Sequence, residues 1–194
     1  MLLAIDVGNT QTVLGIYDND KLVHMWRVAT NVDHTSDELR IKLHTLMMAE
    51  GLEYSHIDGA ILASVVPALT HNWEKACCRS FNVDTLVVSA ASAGHLINVD
   101  VSKFPELGAD RVADAAAAKH LYGSPVIVVD FGTATNIEII NKEGTFVGGI
   151  IAPGVESSMK SLFSRAALLR SVELEDPGLS LIHISEPTRP RLIS

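Results

Sequence analysis

Two strand-turn-strand units built on Asp-x-Gly constrain this chain more than any other feature. The first runs from the apolar stretch Leu2 to Asp6 through the turn Gly8-Asn9-Thr10 into Thr12 to Tyr17, and a polar turn, Asp18 to Asp20, leads to a third run, Leu22 to Val28. The same order returns 124 residues later. Pro125 to Asp130 enters Gly132-Thr133-Ala134-Thr135, Asn136 to Ile140 returns, and Asn141 to Gly144 turns into Thr145 to Ile151. Strands must pair and bury one face. A two-copy repeat with helical sequence between the copies therefore predicts two α/β domains of one design, with both Asp-x-Gly turns facing one cleft.

The intervening sequence reads as helices and further strands. Thr35-Ser36-Asp37-Glu38 fits a capping box, and Leu39, Ile41, Leu43, Leu46, Met47 and Met48 continue it as a helix with a broad apolar face. Ile57 to Val66 reads as a buried strand stopped by Pro67, Leu69 to Phe81 as a helix, and Val83 to Ser89 as a strand. Arg111 to Leu121, with five alanines, reads as a helix ended by Gly123, with Asp110 at its N-terminus, where a carboxylate is favoured.

Charge narrows the partners. Fifteen Lys and Arg against 23 Asp and Glu leave a formal charge of −8, which opposes nucleic-acid binding because that affinity needs clustered basic side chains. Any phosphate must be held by local devices, backbone N–H groups and metal ions. Apolar runs such as Ile61 to Val66 are too short to span a bilayer, and Met1 leads into a strand with no basic leader, so no membrane partner and a cytoplasmic location are expected. Cys77 and Cys78 are neighbours, a poor geometry for a disulfide and the wrong spacing for zinc, and read as reduced helix residues.

A glycine two residues after an aspartate at a strand end lets backbone approach phosphate closely, while following Thr and Asn side chains donate hydrogen bonds and the Asp can hold a cation. Either turn alone is equally well a hairpin. Together they make a clamp for the β- and γ-phosphates of a nucleotide. The chain has neither Gly-x4-Gly-Lys-Ser/Thr nor Gly-x-Gly-x-x-Gly, so P-loop and Rossmann readings lose their support. Gly148-Gly149-Ile150-Ile151-Ala152-Pro153-Gly154 is either room for an adenine or ribose or a glycine-rich strand end, and Gly108-Ala109-Asp110-Arg111 either a base beside a carboxylate-binding guanidinium or a capping Asp with a surface Arg.

These four segments, in this order, resemble those of the type III pantothenate kinases, within the acetate kinase, sugar kinase, Hsp70 and actin superfamily. Asp6 to Thr10 is similar to the family's first phosphate motif, Gly108 to Arg111 to its pantothenate motif, Asp130 to Thr135 to its second phosphate motif, and Gly148 to Gly154 to its adenosine motif. Ser64 to Pro67 and Ser164 to Leu168 also resemble family segments. The resemblance implies an α/β fold of duplicated actin-like (ribonuclease H-like) domains, each with a mixed central sheet and the second incomplete, and ATP-dependent phosphorylation of pantothenate on the way to coenzyme A. It implies Asp110 as the general base and Gly108, Ala109, Asp110 and Arg111 as the pantothenate site. ATP would be held by Asp6, Val7, Gly8, Asn9, Thr10, Gln11, Thr12, Val13 and Thr133, and a monovalent cation, potassium or ammonium, by Asp130. Magnesium with ATP and a homodimer follow from the same resemblance. The rival reading is a non-catalytic ATP-binding regulator of the superfamily; Asp110 beside Arg111 favours the enzyme.

The sequence departs from the family at three places. Asn136 stands where a second threonine is common, Val101 and Ser102 where some members carry an aromatic pantothenate contact, and the threonine expected near 185 has no counterpart, Ser185 taking no role. Leu179 to Arg189 match letter for letter the translation of a transposon-type sequencing adapter, and an index followed by the adapter's continuation would end in Ile193-Ser194, against the alternative of a natural proline-rich tail. The expected division is therefore an N-terminal domain over 1–122, part of a C-terminal domain over 123–178, and a non-native tail over 179–194.

Overall fold

A computed structural model describes residues 1–165 of the chain; the tail and its expected boundary at Gly178 lie outside them. The first sheet grows from the opening repeat. β1 (Leu2–Val7), β2 (Gln11–Asp18) and β3 (Lys21–Ala29) form an antiparallel meander, and β4 (Gly59–Ser64) joins β1 in parallel with Asp6 opposite Ala63. β5 (Thr85–Val87) completes the order β3-β2-β1-β4-β5. The parallel pairs require crossovers, which α1 (Ser36–Ala49) and α2 (Pro67–Phe81) supply.

Period two along the strands sends Leu3, Ile5 and Val7 of β1 and Leu14 and Ile16 of β2 to one face, where they meet Leu39, Leu43 and Met47 of α1 and Leu69, Trp73 and Cys77 of α2. Thr35 caps α1: its Oγ1 accepts from Glu38 N–H at 3.3 Å, and Glu38 Oε2 accepts from Thr35 N–H at 2.7 Å. α2 starts on Pro67 at its first turn and stops at Asn82, which adopts the left-handed conformation (φ 56°).

The second sheet has the order β6-β9-β8-β7, from β6 (Asn98–Val99), β7 (Val126–Phe131), β8 (Ala134–Ile140) and β9 (Thr145–Pro153). It repeats the first meander, and Asp130 lies opposite Asn136 as Asp6 lies opposite Val13. α3 (Ala109–Tyr122) packs on one face, burying Val112 and Ala115 with Ile97, Ile140 and Phe146. α4 (Val155–Arg165) follows β9.

The α/β class, the two mixed sheets and the repeat stand as read from the sequence. Three short or late elements do not appear in that reading: a 3-10 turn at Tyr54–His56, β6 and α4. β6 is only two residues long in a stretch of turns, whereas α4 does carry a helical pattern, with Val155, Met159, Leu162 and Phe163 spaced along one face, that the reading passed over. Residues Met1–Ser157 form one compact unit, and the division falls after Ser157, within α4. Position 122/123, the expected domain boundary, falls within the first unit, between α3 and β7. No helix among the described residues is long and apolar enough to cross a membrane.

Candidate active site

Each Asp-x-Gly turn is closed by its own backbone. Gly8 N–H donates to Gln11 O at 3.0 Å, and Thr30, at the end of β3, braces the turn by donating its N–H to Thr10 O (3.0 Å) and its hydroxyl to Gly8 O (2.8 Å). In the second turn Gly132 N–H donates to Ala134 O at 2.9 Å, and Thr133 O accepts from Gly154 N–H and from the Ser157 hydroxyl, both at 3.1 Å. The two turns touch: the hydroxyls of Thr10 and Thr133, 123 residues apart, are 3.2 Å from each other. One cleft therefore receives both, and both hydroxyls are exposed to a ligand there.

Acids converge beneath this contact. Asp6 is the last but one residue of β1, Asp130 holds the same place in β7 on the α3 side of its sheet, and Asp110 and Asp114 lie one turn apart on α3, which places them on one helix face. Desolvation raises the Asp6 carboxyl above its ordinary range, and the neighbouring Asp110 and Asp130 push it further. Asp114 is pushed up to about 6, first by burial and then by Asp130, Glu138, Asp110 and Asp6. Negative charge without a compensating side chain is what a cation site looks like. A divalent cage built from side chains is absent, since no group of three or more His, Cys, Asp or Glu among the described residues could hold a metal ion. The donor set fits a cation that shares its coordination with carbonyls and phosphates.

Arg111 is held separately. Its Nε donates to Glu138 Oε1 at 2.7 Å, its guanidinium carbon lies 5.7 Å from the centre of the Phe146 ring, and a side chain on Gly149 would collide with its Nη2. Gly149 and Glu138 are register partners on β9 and β8, so the strand pairing itself places the glycine where the guanidinium lies. Asp110 Oδ1 accepts from Arg111 N–H at 2.7 Å, folding the carboxylate over the helix start, and Gly108 leaves room for it because a Cβ there would meet Asp110 Oδ1. An open cleft of about 260 Å³ beside Arg111 is lined by Lys103, Phe104, Pro105, Glu106 and Leu107.

Asp6, Thr10, Asp110, Asp130 and Thr133 are thus brought together. Val7 is fully buried in the first core, and Thr12 is buried with its hydroxyl 2.9 Å from that of Thr30, so neither side chain faces the cleft. In the glycine-rich segment, Gly149 accommodates Arg111, Gly154 N–H closes the second turn, and Gly148 faces open space. Asp114 and Glu138 escaped the sequence reading. Their signals were present as an acid four residues after Asp110 and a lone acid in the apolar run Ile137 to Ile140.

A family model described as type III pantothenate kinase matches residues 2–189. A type III pantothenate kinase of Geobacillus sp. (strain WCH70) is 44% identical over 177 residues, 91% of this chain and 68% of the relative. One from Rhodospirillum rubrum is 44% identical over 177 residues, 91% of this chain and 69% of the relative. The chain thus spans about two thirds of the length of these relatives. Among solved structures, a Campylobacter jejuni protein described as a Baf family transcriptional activator superposes with a TM-score of 0.50 at 20% identity, covering 90% of this chain and 66% of that one, a likeness of fold.

Proposed function

The chain belongs to the type III pantothenate kinase family, and on that premise we propose how its residues divide the transfer of the γ-phosphoryl group of ATP to the pantothenate hydroxyl, a step of coenzyme A biosynthesis. The observation that supports this division most is the Thr10–Thr133 contact, which gives one nucleotide two phosphate-binding turns, with Asp110 beside them. Asp110 takes the proton from the hydroxyl, the hydroxyl oxygen bonds to the γ-phosphorus, and the bond from that phosphorus to the bridging oxygen breaks to leave ADP. Phosphoryl transfer asks mainly for position and charge stabilisation.

Backbone groups of Asp6 to Val13, with the Thr10 and Thr133 hydroxyls, cradle the phosphates. Gly108, Ala109 and Arg111 contact pantothenate in the cleft beside α3. Asp130 holds a monovalent cation, potassium or ammonium, which neutralises charge between the acids and the phosphates; magnesium enters on ATP. A homodimer rests on the family resemblance alone, and a cytoplasmic location on the sequence expectation stated above. The regulatory alternative gains nothing from the curated relatives, which carry the kinase name.

The test is phosphorylation of pantothenate with potassium or sodium as the only added monovalent cation, on the wild type and Asp110→Asn. General-base loss should lower kcat by roughly 10²–10⁴ with ATP affinity retained. Wild-type activity undiminished in Asp110→Asn would remove the base assignment, and equal rates in both salts would remove the potassium site at Asp130.

A further inference from the structure

We propose that Glu138 is a positioning residue for pantothenate, acting through Arg111; the inference rests on the pantothenate reading above. Glu138 sits in the middle of β8 at an inward position, its side chain 0% exposed, and Arg111 is 16% exposed. Oε1 takes the Arg111 Nε bond, while Oε2 is buried and has no hydrogen-bond partner. Such a pair is a poor source of stability, because desolvating both charges offsets their attraction and an apolar pair of similar volume often folds as well. What the pair supplies is orientation. The guanidinium is fixed at its Nε edge by Glu138, on its face by Phe146, and at Nη2 by the space over Gly149. No other hydrogen bond to it is made within the described residues, so its Nη donors remain for a ligand in the cleft lined by Lys103 to Leu107.

The pair also keeps charges apart. Arg111 follows Asp110 in sequence, and Asp6, Asp114 and Asp130 complete an acidic neighbourhood that would draw a loose guanidinium. Held by Glu138, Arg111 does not form an ion pair with Asp110, and the carboxylate stays available to the substrate hydroxyl.

The test is steady-state kinetics of the full chain with potassium and magnesium for wild type, Glu138→Gln, Glu138→Met, Arg111→Met and the Glu138→Met/Arg111→Met double variant. Removing one partner of a buried, hydrogen-bonded ion pair should raise KM for pantothenate by roughly tenfold or more in Glu138→Met. KM for ATP should stay within about twofold, since the phosphate turns are held by other residues. Glu138→Gln, which keeps an acceptor for Nε without the charge, should fall between wild type and Glu138→Met. The double variant should be no worse than Arg111→Met alone, because the effect passes through Arg111. Equal rises in both KM values, or additive losses in the double variant, would overturn the positioning role; should Glu138→Met not fold, Glu138→Gln with an unchanged pantothenate KM overturns it. A folded wild type that binds ATP and leaves pantothenate unphosphorylated would instead remove the pantothenate reading.

Discussion

Asp114 carries the clearest single-residue consequence. Its carboxyl titrates at about 6 in the folded chain, against about 3.9 when unfolded, so the folded state binds the extra proton between these values. The associated stability is fully present below about pH 4 and is lost as pH rises to about 6. Asp114→Asn should therefore melt higher than wild type above pH 6, with the gap closing toward pH 4; a gap constant with pH would show that neither burial of the charged carboxylate nor repulsion from Asp130, Glu138, Asp110 and Asp6 is its origin. Thiol chemistry offers an independent check on packing. Burial pushes the Cys77 thiol up to about 12, while Cys78 is exposed, so a thiol reagent should label the native chain rapidly at one of these two positions, and both only after unfolding. At this scale the sequence exposed Asp6, Asp110 and Asp130 because each stands in a motif. Glu138 and Asp114 depend on strand register and on a helix packing over a sheet, which no local window contains.

Elements differ in what holds them. α1 is fixed at its start by the Thr35–Glu38 box, and α2 by a buried stripe of Leu69, Trp73, Ala76, Cys77 and Phe81. Thr35→Ala should cost about 1 kcal/mol, whereas Trp73→Ala, which empties a site 1% exposed, should cost about 3–5 kcal/mol. Urea unfolding should show the two midpoints moving in that ratio at unchanged slope. Equal shifts would mean that the cap, and not the core, anchors this layer. Elements with a local physical marker were legible: the capping box, Gly123 after α3, and alternation through the two meanders; Pro67, read as the stop of the preceding strand, turns out to open α2. Those held by tertiary pairing were not. β5 shortens to Thr85–Val87 from the expected Val83 to Ser89, because only those residues meet β4, and β6 exists only through its partner Thr145–Phe146.

The described residues are unevenly covered. The first sheet is closed on one face by α1 and α2, but on the edge strand β7 Ile127, Val129 and Phe131 are 64%, 47% and 73% exposed on the face away from α3. Exposed apolar side chains on an edge that is unpaired among the described residues invite association. Light scattering should show concentration-dependent assembly of the 194-residue chain, reduced in Ile127→Thr/Phe131→Thr; a single monomeric species at all concentrations would contradict this. The contact between Thr10 and Thr133 has a consequence of a different kind. On the proposed function, each half of the repeat contributes one jaw of a single nucleotide site, so neither copy is a spare for the other. The ordinary freedom that follows a duplication, in which one copy keeps the task while its twin drifts, is closed to this chain: a loss in either jaw is felt by both, and the two halves are inherited under one shared constraint.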